Sequence, residues 1–153
     1  MGDKTLVRQI DGSFCLELID EPTYTFGSVD NPRRYAREEI LGDRHHRASA
    51  QHGLVCSRDG EPVASIIFGA AGGATAVHEH SLALVANLCF LAVGPFIVSL
   101  DLPLLTQRWV RQVDSATCFG IHVVPDERSL MSHGEMVLSR LTDTELDSGD
   151  LWG

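Results

Sequence analysis

The sequence lacks the short motifs that mark most catalytic and metal-binding chemistry. It contains no P-loop, no GxSxG nucleophile elbow and no helix-borne HExxH motif. It also contains no CxxC pair, which excludes a zinc ribbon or a thioredoxin-like motif. Its cysteines all stand in apolar stretches, where a free thiol acts as a small hydrophobe, and they are Cys15, Cys56, Cys89 and Cys118. We therefore expect a reducing, cytoplasmic compartment.

Basic residues are also scarce. The chain has 12 lysines and arginines against 21 acidic residues, giving a formal net charge of −9. This balance disfavours nonspecific binding to nucleic acid or to anionic lipid, because counterion release needs a basic face. A protein partner with a basic surface is the favoured prediction, with no nucleic acid and no membrane.

One long segment is free of formal charge. Leu82–Leu100 spans 19 residues, which is the length of a membrane helix. Gly94-Pro95 interrupts it, and residues that favour β-structure lie on both sides of the interruption. The segment therefore predicts two buried strands joined by a turn.

Length and turn signals together predict a single all-β domain over residues 1–153. Asp11-Gly12 predicts one hairpin and Asp59-Gly60 another, because both central residues of a type I′ turn need a positive φ. The resulting fold class is a set of antiparallel hairpins, arranged either as a propeller-like partial sheet or as a β-sandwich.

One short helix is predicted near residues 32–41, within the first 50 residues. Asn31-Pro32 is typical of a helix start and Gly42 of a helix stop. The simpler interpretation is a solvated helix with ion pairs along its surface. The alternative is a contact site for an acidic partner or a phosphate, with candidate residues Arg33, Arg34 and Arg37.

Two later stretches are similar to each other, Leu88–Trp109 and Arg128–Trp152. Gly94 aligns with Gly134, and a tryptophan closes each unit. A strand, a glycine turn, a second strand and a terminal tryptophan at a period of about 40 residues are typical of a β-propeller blade.

The segment SLDLPLLTQRW resembles the end of a blade in pyrroloquinoline-quinone-type propellers. In that pattern an apolar-Asp-apolar triplet precedes a threonine-containing turn and a tryptophan, and the matching residues are Leu100, Asp101, Leu102, Thr106 and Trp109. Residues 82–152 as a whole resemble blade repeats of this type or of the WD-repeat type. The resemblance implies an interaction platform built from blade-like hairpin units in residues 51–153, and it implies no quinone cofactor.

Chain length restricts this resemblance. Closed propellers usually need four or more blades of about 40–50 residues, and 153 residues hold three at most. An open sheet must protect its edges, and pairing with a second copy would do so. A homodimer is therefore a further prediction.

His78-Glu79-His80 is the most chemically suggestive segment. In an extended strand His78 and His80 point to the same side. Two imidazoles on one face can ligate zinc or iron if other elements add one or two ligands, and His122 and His133 are the candidates. The alternative is a polar junction between loop and strand that caps backbone groups or faces a partner, with Glu79 as an interaction residue.

Two hypotheses about function follow. The favoured one is a noncatalytic β-rich protein-interaction module without a cofactor, such as a bacterial immunity or adaptor protein. The alternative is a metal-dependent enzyme or metal sensor that binds a divalent metal through the His78/His80 cluster.

Overall fold

All regular structure in the described part of the computed structural model is β-structure. The structure describes residues 5–10, 13–42, 48–71, 77–85, 87–113, 118–124, 129–134 and 138–142, and twelve strands and no helix lie within them. The strands are β1 (Thr5–Gln9), β2 (Phe14–Asp20), β3 (Arg37–Leu41), β4 (Ala50–Arg58), β5 (Glu61–Ala70), β6 (Leu82–Val85), β7 (Leu88–Val93), β8 (Phe96–Asp101), β9 (Thr106–Gln112), β10 (Cys118–Val124), β11 (Ser129–Gly134) and β12 (Leu138–Thr142). The predicted all-β class is confirmed.

The strands form three sheets. A five-stranded sheet has the order β1-β2-β4-β5-β3, a four-stranded sheet the order β6-β7-β8-β9, and a three-stranded sheet the order β10-β11-β12. Neighbouring strands pair antiparallel except for β3 and β5, which pair parallel. Because β2 pairs with β4, the first hairpin shares its sheet with strands that follow residue 50.

Three predicted hairpins are present. β1 and β2 pair on either side of Asp11-Gly12, which themselves lie outside the described residues. β4 and β5 are joined by Asp59 and Gly60, whose φ angles are 51° and 86°, as a type I′ turn requires. β7 and β8 are joined by a turn that includes Gly94, with a φ of 55°.

The inner strands β7 and β8 of the four-stranded sheet are buried on both faces, whereas the edge strand β9 is partly exposed. Along β7, Cys89, Leu91 and Val93 pack into a first core shared with the five-stranded sheet. The alternate residues Leu88, Phe90 and Ala92 pack into a second core that includes Ile121 of β10 and Leu130 of β11. Successive side chains of a strand point to opposite faces, so a strand between two cores must be apolar throughout.

This double burial explains why Leu82–Leu100 carries no formal charge. The segment contains the two predicted buried strands, β7 and most of β8, and a third strand, β6, that was not predicted. No helix in the described part of the chain has the length and apolarity that crossing a membrane would require.

The predicted helix near 32–41 is wrong. Residues 31–36 are irregular, and Arg37–Leu41 is the strand β3, which pairs with Ile66–Ala70 of β5. Asn31 does not cap a helix; its side chain accepts a hydrogen bond from the Thr25 amide at 2.8 Å and donates to the Thr25 carbonyl at 2.8 Å. Pairing with β5 satisfies the backbone of β3 and buries Leu41, which outweighs the local helix signals.

Residues 21–36 lie across the outer face of the five-stranded sheet, and we call this segment the strap. Tyr35 packs directly on Gly53 of β4, where a Cβ atom would overlap the phenol ring. Gly53 pairs with Ile19 and Ile67, which are both fully buried. The Tyr35 ring therefore lies over a position without a side chain, between two branched side chains. The two contacting residues therefore fix the strap on the sheet.

A second glycine repeats this arrangement. A Cβ atom at Gly69 of β5 would lie 2.9 Å from two ring carbons of Phe26. Phe26, Tyr24 and Tyr35 form one outer cluster with Ile67, and the Tyr24 ring meets the rings of Phe26 and Tyr35 edge-on. The aromatic residues of the strap thus cover the outer face of the five-stranded sheet.

The two similar stretches each contain a hairpin, formed by β7 and β8 in the first and by β11 and β12 in the second. Trp109 is half-buried on β9, with its ring 6.0 Å from that of Phe90, whereas Trp152 lies outside the described residues. The described strands stack as sheets and show no closed propeller. The blade resemblance and the homodimer stay predictions.

Replacing Gly53 by alanine tests the packing of Tyr35 on Gly53. Because the added Cβ would overlap the phenol ring, either the ring or β4 must shift. We expect the free energy of unfolding in urea to fall by about 2–3 kcal/mol. The same substitution in a Tyr35→Ala background should cost much less, since the overlap is then absent.

The control on the same strand is Ser57→Ala at a half-buried position, which should change stability by less than about 0.5 kcal/mol. If Gly53→Ala lowers the free energy of unfolding equally in both backgrounds, the proposed packing of Tyr35 on Gly53 is wrong.

Candidate functional site: the strap crevice and the histidine turn

A crevice of about 450 Å³ opens between the strap and the five-stranded sheet; we call it the strap crevice. Its walls combine aromatic, apolar and small polar side chains: Pro22, Thr23, Tyr24, Thr25, Phe26, Ile40, Ala48 and Gln51. A smaller cavity of about 200 Å³ lies beside it and shares Thr23 and Tyr24 as lining residues, together with the charged residues Glu21 and Arg33. A concave site with an apolar wall and few polar groups is the usual form of a binding site.

Glu21 forms a buried polar centre at the smaller cavity. Its Oε2 accepts hydrogen bonds from the Tyr35 hydroxyl at 2.6 Å and from Arg33 Nη1 at 3.3 Å. The Glu21 side chain is only 10% exposed, whereas that of Arg33 is 46% exposed. Buried polar oxygens need such hydrogen-bond donors to offset their loss of water. Burial, followed by the bond to Glu21, raises the pKa of Tyr35 far above its ordinary value, so the phenol keeps its proton.

Two further side chains hold the turn of the strap. Glu38 of β3 accepts hydrogen bonds from the Tyr24 hydroxyl and, at 3.0 Å, from the Gly27 amide. Gln51 of β4 donates to the carbonyls of Glu21 at 2.7 Å and Tyr24 at 2.9 Å. Burial and the bond to Glu38 raise the pKa of Tyr24 to about 12. Two of the side chains that line the crevice, Tyr24 and Gln51, are therefore held by hydrogen bonds, which helps to preorganise its shape.

The three predicted contact arginines have different roles. Arg33 pairs with Glu21. Arg37 Nη2 donates to the carbonyls of Leu104 at 3.1 Å and Leu105 at 2.7 Å, which ties β3 to the turn between β8 and β9. Arg34 is exposed in the strap. The structure thus commits Arg33 and Arg37 to separate internal partners.

His78, Glu79 and His80 lie in a turn before β6, so the extended conformation expected for them is not present. The Ser81 amide donates to the His78 carbonyl at 3.0 Å, and the His78 amide donates to the Ser81 hydroxyl at 3.0 Å. The His80 amide donates to His78 Nδ1 at 3.2 Å, so this nitrogen is the unprotonated one. We call residues 78–81 the histidine turn.

The histidine turn rests on β10. The Ile121 amide donates to the His80 carbonyl at 2.8 Å, and the ring centroids of His80 and His122 lie 4.4 Å apart. Gly120 makes this approach possible, because a Cβ atom there would lie 2.9 Å from the His80 Cβ. His133 is placed opposite Gly120 in the β10–β11 ladder, and its side chain lies outside the described part.

Three of the four predicted ligands are therefore brought to one place, around Gly120. The rings of His78 and His80 are 6.2 Å apart, and Glu79 Oε1 lies 3.5 Å from His80 Nε2. Among the described residues, no group of three or more His, Cys, Asp or Glu side chains could hold a metal ion. The predicted metal site and the predicted interaction role of Glu79 stay predictions.

His52 is an unusual residue that the sequence prediction missed. It lies on β4, is 3% exposed, and its Nδ1 has no hydrogen-bond partner among the described residues. Burial, followed by the charge of nearby His78, lowers the pKa of His52 to about 4. The available signal was its position in β4, where it shares one face of the strand with Ala50, Leu54 and Cys56.

The polar network of the strap was also missed. Glu21 and Tyr35 are 14 residues apart, as are Tyr24 and Glu38, and the intervening chain is irregular. No periodic pattern marks such a contact, so only the folded arrangement reveals it.

The chain matches no known protein-family model, no curated protein and no solved structure. Its function is therefore inferred from the strap crevice and the histidine turn themselves.

Acid should destabilise the protein through His52. Unfolded His52 takes up a proton below about pH 6.5, while the folded residue stays neutral down to about pH 4. Its contribution is thus fully present above pH 6.5 and is lost as the pH falls towards 4, by up to roughly 3 kcal/mol.

The measurement is urea unfolding at several pH values between 4 and 7.5, with a chelator present. His52→Leu should flatten this part of the stability profile, whereas the half-exposed control His80→Gln should not. A His52→Leu profile as steep as that of the wild type would contradict the assignment.

Proposed function

We propose that this protein is a noncatalytic binding module that recognises a protein partner at the strap crevice. The observation that carries the proposal is the crevice itself, which has a volume of about 450 Å³ and walls held by paired groups. Preorganised walls reduce the entropy that binding costs. Such a site suits recognition of a side chain or a short segment of a partner.

The protonation states of the reactive groups support binding over catalysis. Burial raises the thiol pKa values of Cys56 and Cys89, and a protonated thiol is a poor nucleophile. The phenols of Tyr24 and Tyr35 also keep their protons at neutral pH. These groups are therefore held in unreactive forms, as structural groups are.

Charge indicates the kind of partner. The chain carries a formal net charge of −9, and Glu21 and Glu38 lie directly behind the walls formed by Tyr24. A basic partner would be attracted by the net charge of the chain as a whole, and electrostatic complementarity increases the rate of association. An adaptor or immunity role in a reducing compartment belongs to the same proposal, and the free thiols Cys15, Cys56 and Cys89 support that compartment.

Thr23→Arg tests the site because Thr23 is exposed and lines both cavities. An arginine at this position fills the opening and repels a basic partner. Immobilised protein is exposed to an extract of its source cells, and captured proteins are identified, purified and measured by calorimetry. We expect Thr23→Arg to raise the dissociation constant of the complex at least about tenfold. High salt should also raise the dissociation constant of the wild-type complex.

Thr106→Arg is the matched control. It makes the same substitution at an exposed threonine of the four-stranded sheet, and it should bind as the wild type does. Binding that is unaffected by Thr23→Arg would exclude the strap crevice. Binding that is unchanged in high salt would exclude recognition led by charge.

A further inference from the structure

We propose that the strap crevice holds an uncharged aromatic side chain of the protein partner. The inference rests on the proposed function, because it names the part of the partner that enters the crevice. The crevice volume of about 450 Å³ lies within the range of roughly 300–1,000 Å³ that ligand pockets have. A few buried aromatic anchors commonly contribute most of the binding energy of a protein interface.

The lining of the crevice favours an occupant without charge. None of its described lining residues is charged, and Pro22, Phe26, Ile40 and Ala48 contribute apolar surface. A charged group that entered this space would lose water without meeting an opposite charge, which costs free energy. The net charge of the chain therefore acts on the partner at long range, and the crevice accepts a neutral side chain.

The two buried polar residues of the lining have their donor groups engaged inside the protein. The Tyr24 hydroxyl donates to Glu38. The side-chain amide of Gln51 donates to the carbonyls of Glu21 at 2.7 Å and of Tyr24 at 2.9 Å. An entering side chain thus gains less from hydrogen bonds to these donors than from contact with rings and aliphatic groups.

Two aromatic rings of the lining meet at a steep angle, and we call this pair the ring corner. The ring centroids of Tyr24 and Phe26 lie 5.3 Å apart, and the ring planes are inclined by 74°. A third ring that enters such a corner can stack on one ring while it meets the other edge-on, and both arrangements are favourable. An aliphatic side chain makes neither contact, so the ring corner favours an aromatic occupant.

The ring corner is supported from behind. The Phe26 ring lies against β5, where a Cβ atom at Gly69 would be 2.9 Å from two of its carbons. The Tyr24 ring meets the Tyr35 ring edge-on at 5.7 Å, and Tyr35 packs on Gly53. Both rings are therefore positioned before a partner arrives, which reduces the entropy lost on binding.

The test uses single amino-acid amides as probes of the full chain. N-acetyl-tryptophanamide and N-acetyl-tyrosinamide are the aromatic probes, and N-acetyl-leucinamide and N-acetyl-lysinamide are the aliphatic and cationic comparisons. Each is titrated to millimolar concentration and followed by ¹H–¹⁵N NMR. We expect the aromatic probes to shift the amide resonances of Thr23 and Thr25, and to bind about tenfold more tightly than the comparisons.

Three variants test the ring corner. Phe26→Leu removes one ring but keeps an apolar side chain, and it should raise the dissociation constant of N-acetyl-tryptophanamide about three- to tenfold. Phe14→Leu is the matched control at a partly buried phenylalanine that packs on the first core, and it should bind as the wild type does. Tyr24→Phe keeps the ring and should change the dissociation constant by less than about threefold.

Urea unfolding of each variant separates loss of a ring contact from loss of folding. If Phe26→Leu does not fold, the order of probe affinities in the wild type still decides. The inference is wrong if the leucine or lysine probe binds as tightly as the aromatic probes. It is also wrong if no probe shifts the resonances of Thr23 and Thr25.

These results are distinguishable from failure of the proposed function. A captured partner that depends on Thr23, together with probes that show no preference for a ring, would support the proposed function and overturn this inference. Aromatic probes that bind at the ring corner, while no captured partner depends on Thr23, would support the preference for a ring and overturn the proposed function.

Discussion

Burial of the strand β7 on both of its faces is the constraint on which the rest of the structure depends. Phe90 faces one core and Leu91 the other, and both are fully buried. Burying such a side chain contributes about 1.5–3 kcal/mol to the free energy of folding. The strand β7 is therefore stable only while both of its faces are packed against other sheets. The five-stranded and three-stranded sheets provide these covers, and the uncharged segment Leu82–Leu100 is the sequence signature of the arrangement.

Both candidate sites lie where irregular segments pack on a sheet or join two sheets. The strap closes the outer face of the five-stranded sheet, because Tyr35 and Phe26 pack on Gly53 and Gly69. The histidine turn joins the four-stranded sheet to β10 through backbone hydrogen bonds of Ser81 and His80. At these places polar groups hold irregular chain through side-chain hydrogen bonds.

The parts of the fold that depend on local rules could be predicted from the sequence, and those that depend on distant contacts could not. Asp59-Gly60 specifies a tight hairpin through its own backbone angles. Asn31 and Gly42 also gave a local helix signal, but pairing of β3 with β5 overrode it. For the sites, the structure places His80 and His122, two of the predicted ligands, with their ring centroids 4.4 Å apart. The contact of Glu21 with Tyr35 and the burial of His52 arise only from tertiary packing.

Amide hydrogen exchange along β7 tests the central claim most directly. If Leu88–Val93 lies between two cores, its hydrogen-bonded amides should exchange only through global unfolding, and they should be among the slowest in the protein. The reference is the edge strand β1, where Val7 is 54% exposed and faster exchange is expected. Amides of β7 that exchange as fast as those of β1 would contradict the burial of β7 on both faces.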